Sequence, residues 1–273
     1  MAFDTSALGA EGLAAFAAAN GMTYAPSAAP SAFGGALFEF LQGAAISHRF
    51  ASAGSPLLEV GTITGTVGGS QERQSGGWTV TTSYGTTSVR SFGYLAMQLE
   101  RAVPHLVLDA KSNGSSIPMP IAGGQALSLE GDFDSHFSLY CPAGYERDAL
   151  YIFTPDLMAL LIDESGAFDV EIVDDMLFVY SNHAFDPADP ALWERLGRIH
   201  DLVGAKTLTQ TDYYSDDRFA DRAANVVADD GRRLRMGFLP RMGTGLKIGI
   251  GAAVVVFIGV FVAIFAVVLS AVF

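Results

Sequence analysis

A chain of 273 residues, half of them hydrophobic, is long enough for one sizeable core or two small ones. With 29 acidic against 16 basic residues its net charge is −13, which argues against nucleic acid as a partner. Cys141 is the only cysteine, so an internal disulfide is excluded, and that fits a reducing compartment.

The N-terminal stretch "MAFDTSALGAEGLAAFAAANGM" has no basic leading region and carries Asp4 and Glu11 early, so it does not read as a secretory signal peptide. Leu8, Leu13 and Phe16 predict a helix over 5–19, stopped by Asn20-Gly21. A Pro/Ala/Ser/Gly loop is expected at 25–35. From there to residue 110 the chain reads as strands separated by Gly, Ser and Thr turns: "PLLEVGTITGTV", then a polar turn region "GGSQERQSGG", then "WTVTTSYGTTSVRSFGYLAMQLE" bending at Tyr84-Gly85, then "HLVLDA" closed by Asn113-Gly114. Residues 112–126 read as a long loop.

Two later helices are marked by their starts. Thr154-Pro155-Asp156 offers an N-cap, a proline at the first helical position and an acid in the first turn, before Leu157, Leu160 and Leu161. Asp189-Pro190 repeats the device before a stripe of Leu192, Leu196, Ile199 and Val203 that ends at Gly204. Between them "FDVEIVDDMLFVYS" reads as a hairpin turning at Asp174-Asp175. Many strands with a few late helices predict an α+β fold with a mainly antiparallel sheet over residues 1–206.

Chemistry is suggested first by "LEGDFDSHFSLYC", residues 129–141. Read as a strand, it places Asp132, Asp134 and His136 on one face, a set that could hold a metal. Read as one helical turn, it stacks Phe133 on Phe137 and carries Asp134 off that face. The second reading makes the stretch a solvated polar face over a phenylalanine pair, and no metal or cofactor is expected. In "YERDALYIFTPDLMALLID", Arg147 stands between Glu146 and Asp148, either as a catalytic arginine or, more simply, as a structural ion pair. His48, His105, His183 and His200 belong to no zinc-binding pattern, and no nucleophile elbow or phosphate-binding loop is present.

The block "LEGDFDSHFSLYCPAGYERDALYIFTPDLMALLIDESGAFDVEIVDDMLFVYS", preceded by "FGYLAMQLERAVPHLVLDAKSNG", resembles a family of uncharacterised membrane-anchored proteins of actinobacteria. More distantly, Phe133, Phe137, Tyr140, Ala149 and Thr154-Pro155 are similar to a broader bacterial domain of unknown function, whose members also carry transmembrane segments. The resemblance covers most of residues 35–185 and implies an α+β cytosolic domain tied to the membrane. It implies no activity, cofactor or catalytic residue.

Residues 207–247 read as a linker, polar and then basic. Arg232, Arg233, Arg235, Arg241 and Lys247 follow residue 231, and no acid does. Residues 248–273 hold no charge. A helix of that length reaches roughly 39 Å, against about 30 Å of hydrocarbon, and so can span a bilayer with some tilt. The basic residues should stay on the cytoplasmic side against anionic headgroups, which makes the chain a single-pass, tail-anchored protein with a cytosolic N-terminal domain. Gly245, Gly249 and Ala253 follow small-xxx-small spacing, which allows close helix packing and a homodimer. The leading expectation is therefore a non-enzymatic, membrane-tethered module that binds a protein or cell-envelope partner. The alternatives are a hydrolase or lipid-modifying enzyme using Asp132, Asp134 and His136, and a lipid-binding sheet with Trp78–Tyr94 against the bilayer.

Overall fold

The computed structural model describes residues 3–8, 12–68, 70–75, 78–83, 87–114, 117–129, 131–219 and 225–236, with backbone alone over 70–83. It is α+β, built on a seven-stranded sheet whose pairings are all antiparallel. After a 3-10 turn at Thr5–Leu8 the chain forms helix α1 (Gly12–Ala19), strand β1 (Met22–Ala28), helix α2 (Ala36–Phe40), and strands β2 (Gln42–Ser52) and β3 (Leu58–Val67). A separate ribbon of β4 (Ser70–Ser75) and β5 (Trp78–Ser83) leads into β6 (Ser88–Ala110). Then come β7 (Ala126–Leu127), α3 (Phe133–His136), β8 (Phe137–Tyr140), α4 (Glu146–Ile152), α5 (Pro155–Leu160), β9 (Asp169–Ser181), α6 (Pro190–Arg198), α7 (Ala205–Thr211) and α8 (Asp229–Arg232).

The 23-residue β6 organises the sheet. Along one edge it pairs with β3 over residues 88–97 and with β8 over 107–110; along the other it pairs with β9. The two strands expected on either side of residue 104 are thus one. The ladder to β9 shifts register between Gln98 and Leu106, around Pro104, because a proline has no N–H to give. Opposite this bulge Asp174 adopts φ 52°, a left-handed conformation that aspartate tolerates. The expected hairpin at Asp174-Asp175 is therefore corrected to a bend within the single strand β9, which follows β6 around the same corner.

Both faces of the sheet are buried. On one, Phe16 of α1, Phe50 of β2 and Trp193 of α6 meet with ring centroids 4.5–5.9 Å apart, and the α4–α7 region closes the layer. On the other, α2 and Leu234 cover Phe92, Tyr94, Phe178 and Tyr180. A strand buried on both faces reads as a continuous apolar run instead of an alternating one. That is why β9 looked like two apolar runs flanking a turn.

The helix starts behave as read. Thr154 Oγ1 accepts from Leu157 N at 3.5 Å and Asp189 Oδ1 from Ala191 N at 2.9 Å, each with proline next in the chain. The stripe of α6 continues through a π-helical turn, Ile199–Gly204, into α7. The expected N-terminal helix begins only at Gly12, whose φ is 81°. The expected loop at 25–35 begins within β1, which runs to Ala28 on the sheet edge, where Pro26 is tolerated.

Of the region read as a linker from residue 207, the described residues 207–219 and 225–236 pack against the domain. Thr211, Tyr214, Asp216, Val227 and Leu234 are buried, and Met236 bridges Ile121. Its polar composition is accommodated by hydrogen bonding rather than solvation: Thr207 Oγ1 donates to Val203 O, Thr211 Oγ1 to Thr207 O, and Arg235 N to Gln125 Oε1. Among the described residues no helix is long and apolar enough to cross a membrane, and the span expected at 248–273 lies outside them.

Candidate functional site

An open cleft with polar walls lies between α4 and the segment following α7. It has a volume of about 540 Å³ and is lined by Arg147, Asp148, Tyr151, Tyr213, Tyr214 and Arg218, among others. The apolar side of α4 sinks Ala149 and Ile152 into the core, which turns Arg147, Leu150 and Tyr151 outward. Facing them, Tyr214 is anchored by its hydroxyl on Asp148 Oδ1 at 2.7 Å, while Tyr213 is 84% exposed.

The wall of the cleft is fixed by a polar network. Asp216 is buried and accepts from Tyr145 Oη (2.9 Å), Ala228 N (2.9 Å), Arg218 N (3.0 Å) and Arg218 Nη1 (3.0 Å). Burial alone would raise its pKa, but these donors outweigh it and hold the carboxyl below its ordinary value. The Arg218 guanidinium lies 3.6 Å from the Tyr145 ring centroid, pairs with Asp148 at 3.3 Å and donates to Gly144 O. Burial and the Asp216 carboxylate both push the Tyr145 phenol upward.

The sequence expectation for Arg147 is corrected here. The arginine that pairs with Asp148 is Arg218, 70 residues further along the chain, which lies between Asp148 and Asp216; Glu146 is exposed and accepts from Gly144 N, and Arg147 is exposed on the cleft and makes no ion pair within the described residues. Arg218, Tyr213, Tyr214 and Asp216 were missed, because "TDYYSDDRF" was read as linker. Two adjacent tyrosines beside an Asp-Asp-Arg run are unusual in a solvated tether, and that was the available signal.

The stretch 129–141 takes the helical alternative. Phe133 and Phe137 stack at 5.2 Å, both buried. Asp132 and His136 approach to 3.8 Å on the surface, while Asp134 turns to Ser128 Oγ and Leu129 N, which lower its pKa. No group of three metal-ligating side chains occurs among the described residues, and the extended-strand face does not form. Cys141 is buried, and burial followed by Glu146 and Asp148 pushes its thiol up to about 11.

Of the arginines assigned to the membrane surface, Arg233 pairs with Asp174 at 3.1 Å and Glu39 at 3.5 Å, and Arg232 with Asp174 at 3.5 Å. They hold the C-terminal segment to the domain. Arg235 keeps an exposed side chain. Arg241, Lys247, Gly245, Gly249 and Ala253 lie outside the described residues, as do the side chains over 78–86 of the expected lipid-facing strand.

A second polar cluster, not anticipated from sequence, is buried in the sheet. Glu171 accepts from Tyr180 Oη (2.8 Å) and Ala36 N (2.7 Å), and His105 Nε2 lies 2.8 Å from its other oxygen. None of its members lines the cleft. Compared with known proteins, the chain matches no family model, no curated protein and no solved structure, so the geometry of the site carries the functional reading.

Proposed function

We propose that this protein is a membrane-tethered module that binds a protein or cell-envelope partner through the cleft between α4 and the Tyr213–Arg218 segment. The observation that supports this is the concentration of exposed apolar groups there. Leu150, Tyr151, Tyr213 and Phe219 are four of the eight large apolar side chains exposed among the described residues; Tyr151 and Tyr213 line the cleft, and Leu150 and Phe219 adjoin its lining residues in sequence. With the unpaired Arg147 they give the tyrosine–arginine composition of binding hot spots. Replacing Arg147 by Glu or Tyr213 by Ala should leave the unfolding midpoint unchanged, since both are exposed, and reduce crosslinking to the partner at the membrane by about tenfold, the loss of a hot spot of ~1.4 kcal/mol. Crosslinking with undiminished yield in both variants would remove the cleft from the proposal.

The tether in this reading is residues 248–273, with Arg235, Arg241 and Lys247 toward the headgroups and the domain on the cytoplasmic side. Residues 237–247 reach at most about 40 Å, at 3.3–3.6 Å per residue, which keeps the cleft near the bilayer. The full chain should stay with membranes through a high-salt wash, because apolar transfer is not screened by salt. Asp132, whose side chain is 82% exposed, replaced by Cys should escape a membrane-impermeant thiol reagent in intact cells and react after lysis. Extraction by salt would refute the span, and labelling in intact cells would reverse the topology.

A further inference from the structure

The last described segment, residues 225–236, lies across the domain immediately before the tether. Gly231 presses on Tyr145 so closely that a Cβ there would stand 2.3 Å from Tyr145 Cζ. Asn225 Oδ1 accepts from Ala102 N, and Gln125 bonds both the N–H and the C=O of Arg235. One contact differs from these in kind. Leu234 N donates to His105 Nδ1 at 3.1 Å, deep in the structure. A backbone N–H is always a donor, so Nδ1 must present its lone pair. The imidazole proton is therefore on Nε2, where it donates to Glu171 Oε1 at 2.8 Å. The seat for Leu234 exists only while His105 is neutral.

We propose that His105 is a proton-sensitive latch on the segment that leads to the tether: the segment seats through Leu234 on the neutral imidazole, and proton uptake at Nδ1 unseats it. A protonated imidazole has a donor at both nitrogens. Nδ1–H would then face Leu234 N–H, and a buried N–H would lose its only acceptor. The proton competes with Leu234 for one lone pair while the opposite nitrogen keeps its hydrogen bond to Glu171. Several other ionisable groups on the elements packed around this cluster are already paired, while Glu100, Asp229, Asp230 and Arg235 are exposed to solvent. Tyr180 of β9 donates to Glu171, Asp174 of β9 and Glu39 of α2 hold Arg232 and Arg233 of the segment, and Glu59 of β3 is bound by Arg49. None of them requires a neutral imidazole. The consequence of release is mechanical: residues around Leu234 pass from the domain to the tether, and the domain gains reach from whatever holds the chain beyond residue 236.

The test is hydrogen exchange of the full chain in detergent micelles at pH 7.5 and 5.5, with protection corrected for intrinsic exchange. Protection over 232–236 should fall by about tenfold or more at pH 5.5, while β6 residues 93–98 keep theirs. His105→Asn places Oδ1 where Nδ1 stood and cannot take up a proton in this range, so its protection should not change with pH. An unchanged wild-type segment overturns the latch, and so does a His105→Asn protein that loses protection as the wild type does. Should that variant not fold, the wild type still decides: the His105 ring and the Leu234 amide must titrate with one midpoint by NMR, and separate midpoints overturn the proposal.

Discussion

Replacing Glu171 by Ala should cost about 4 kcal/mol. Glu171 is fully buried on β9, and three donors converge on it: Tyr180 Oη, Ala36 N and His105 Nε2. Alanine would leave all three facing a cavity. An orphaned buried donor costs roughly 1–3 kcal/mol, and removing one member of a buried charged network typically costs about 3–5 kcal/mol. Glu171→Gln keeps the shape but turns an N–H₂ toward one group of donors, so its cost should be intermediate. The measurement is denaturant unfolding of the full chain in micelles, followed by the fluorescence of the buried Trp193. A loss under 1 kcal/mol for Glu171→Ala would mean that water replaces the carboxylate and that Ala36, and with it α2, is held to the sheet by other contacts.

The visibility of these features in the sequence follows from how local their causes are. The caps at Thr154 and Asp189 were legible because capping involves residues within one turn, and the stripe of α6 because its period is its own. The antiparallel α+β class followed from the number of strand-like runs. The unity of β6 and β9 was not legible, because a proline and a turn-like Asp-Asp pair each end a strand in isolation; only their juxtaposition across the ladder lets both strands bend and continue. The Asp132, Asp134 and His136 set depended on one backbone choice, and the burial of Phe133 with Phe137 made it. The cleft was least visible. Arg147 was noticed for its sequence neighbours, but the partner of Asp148 comes from residue 218, and no local pattern encodes a pairing over that separation. Likewise His105 and Glu171 stand 66 residues apart, and nothing local to either marks their pairing.

Asp216→Ala should cost about 3 kcal/mol and open the cleft without dissolving the sheet. The carboxylate binds the phenol of Tyr145, the guanidinium and N–H of Arg218 and the N–H of Ala228, so it ties α4, the post-α7 segment and the start of the C-terminal segment to one point. Arg218 is partly exposed and can recover hydration, which puts the cost below that of a fully buried pair. The buried Tyr145 hydroxyl has no such recourse, and its lost hydrogen bond leaves a donor at a cost of roughly 1–3 kcal/mol. Exchange protection should therefore fall over 144–151 and 213–218 together, and stay intact over β3 and β6. The pH dependence has a definite sign. The folded-state pKa of Asp216 is lowered, so its contribution is complete above the ordinary aspartate pKa of about 3.9 and is lost as the pH falls through the folded value. Between pH 7.5 and 5.5 this site should not respond, whereas the His105 seat should. Exchange that rises at 213–218 on going from pH 7.5 to 5.5, in step with 232–236, would show that the two clusters open as one unit and that the Asp216 network does not hold the cleft on its own.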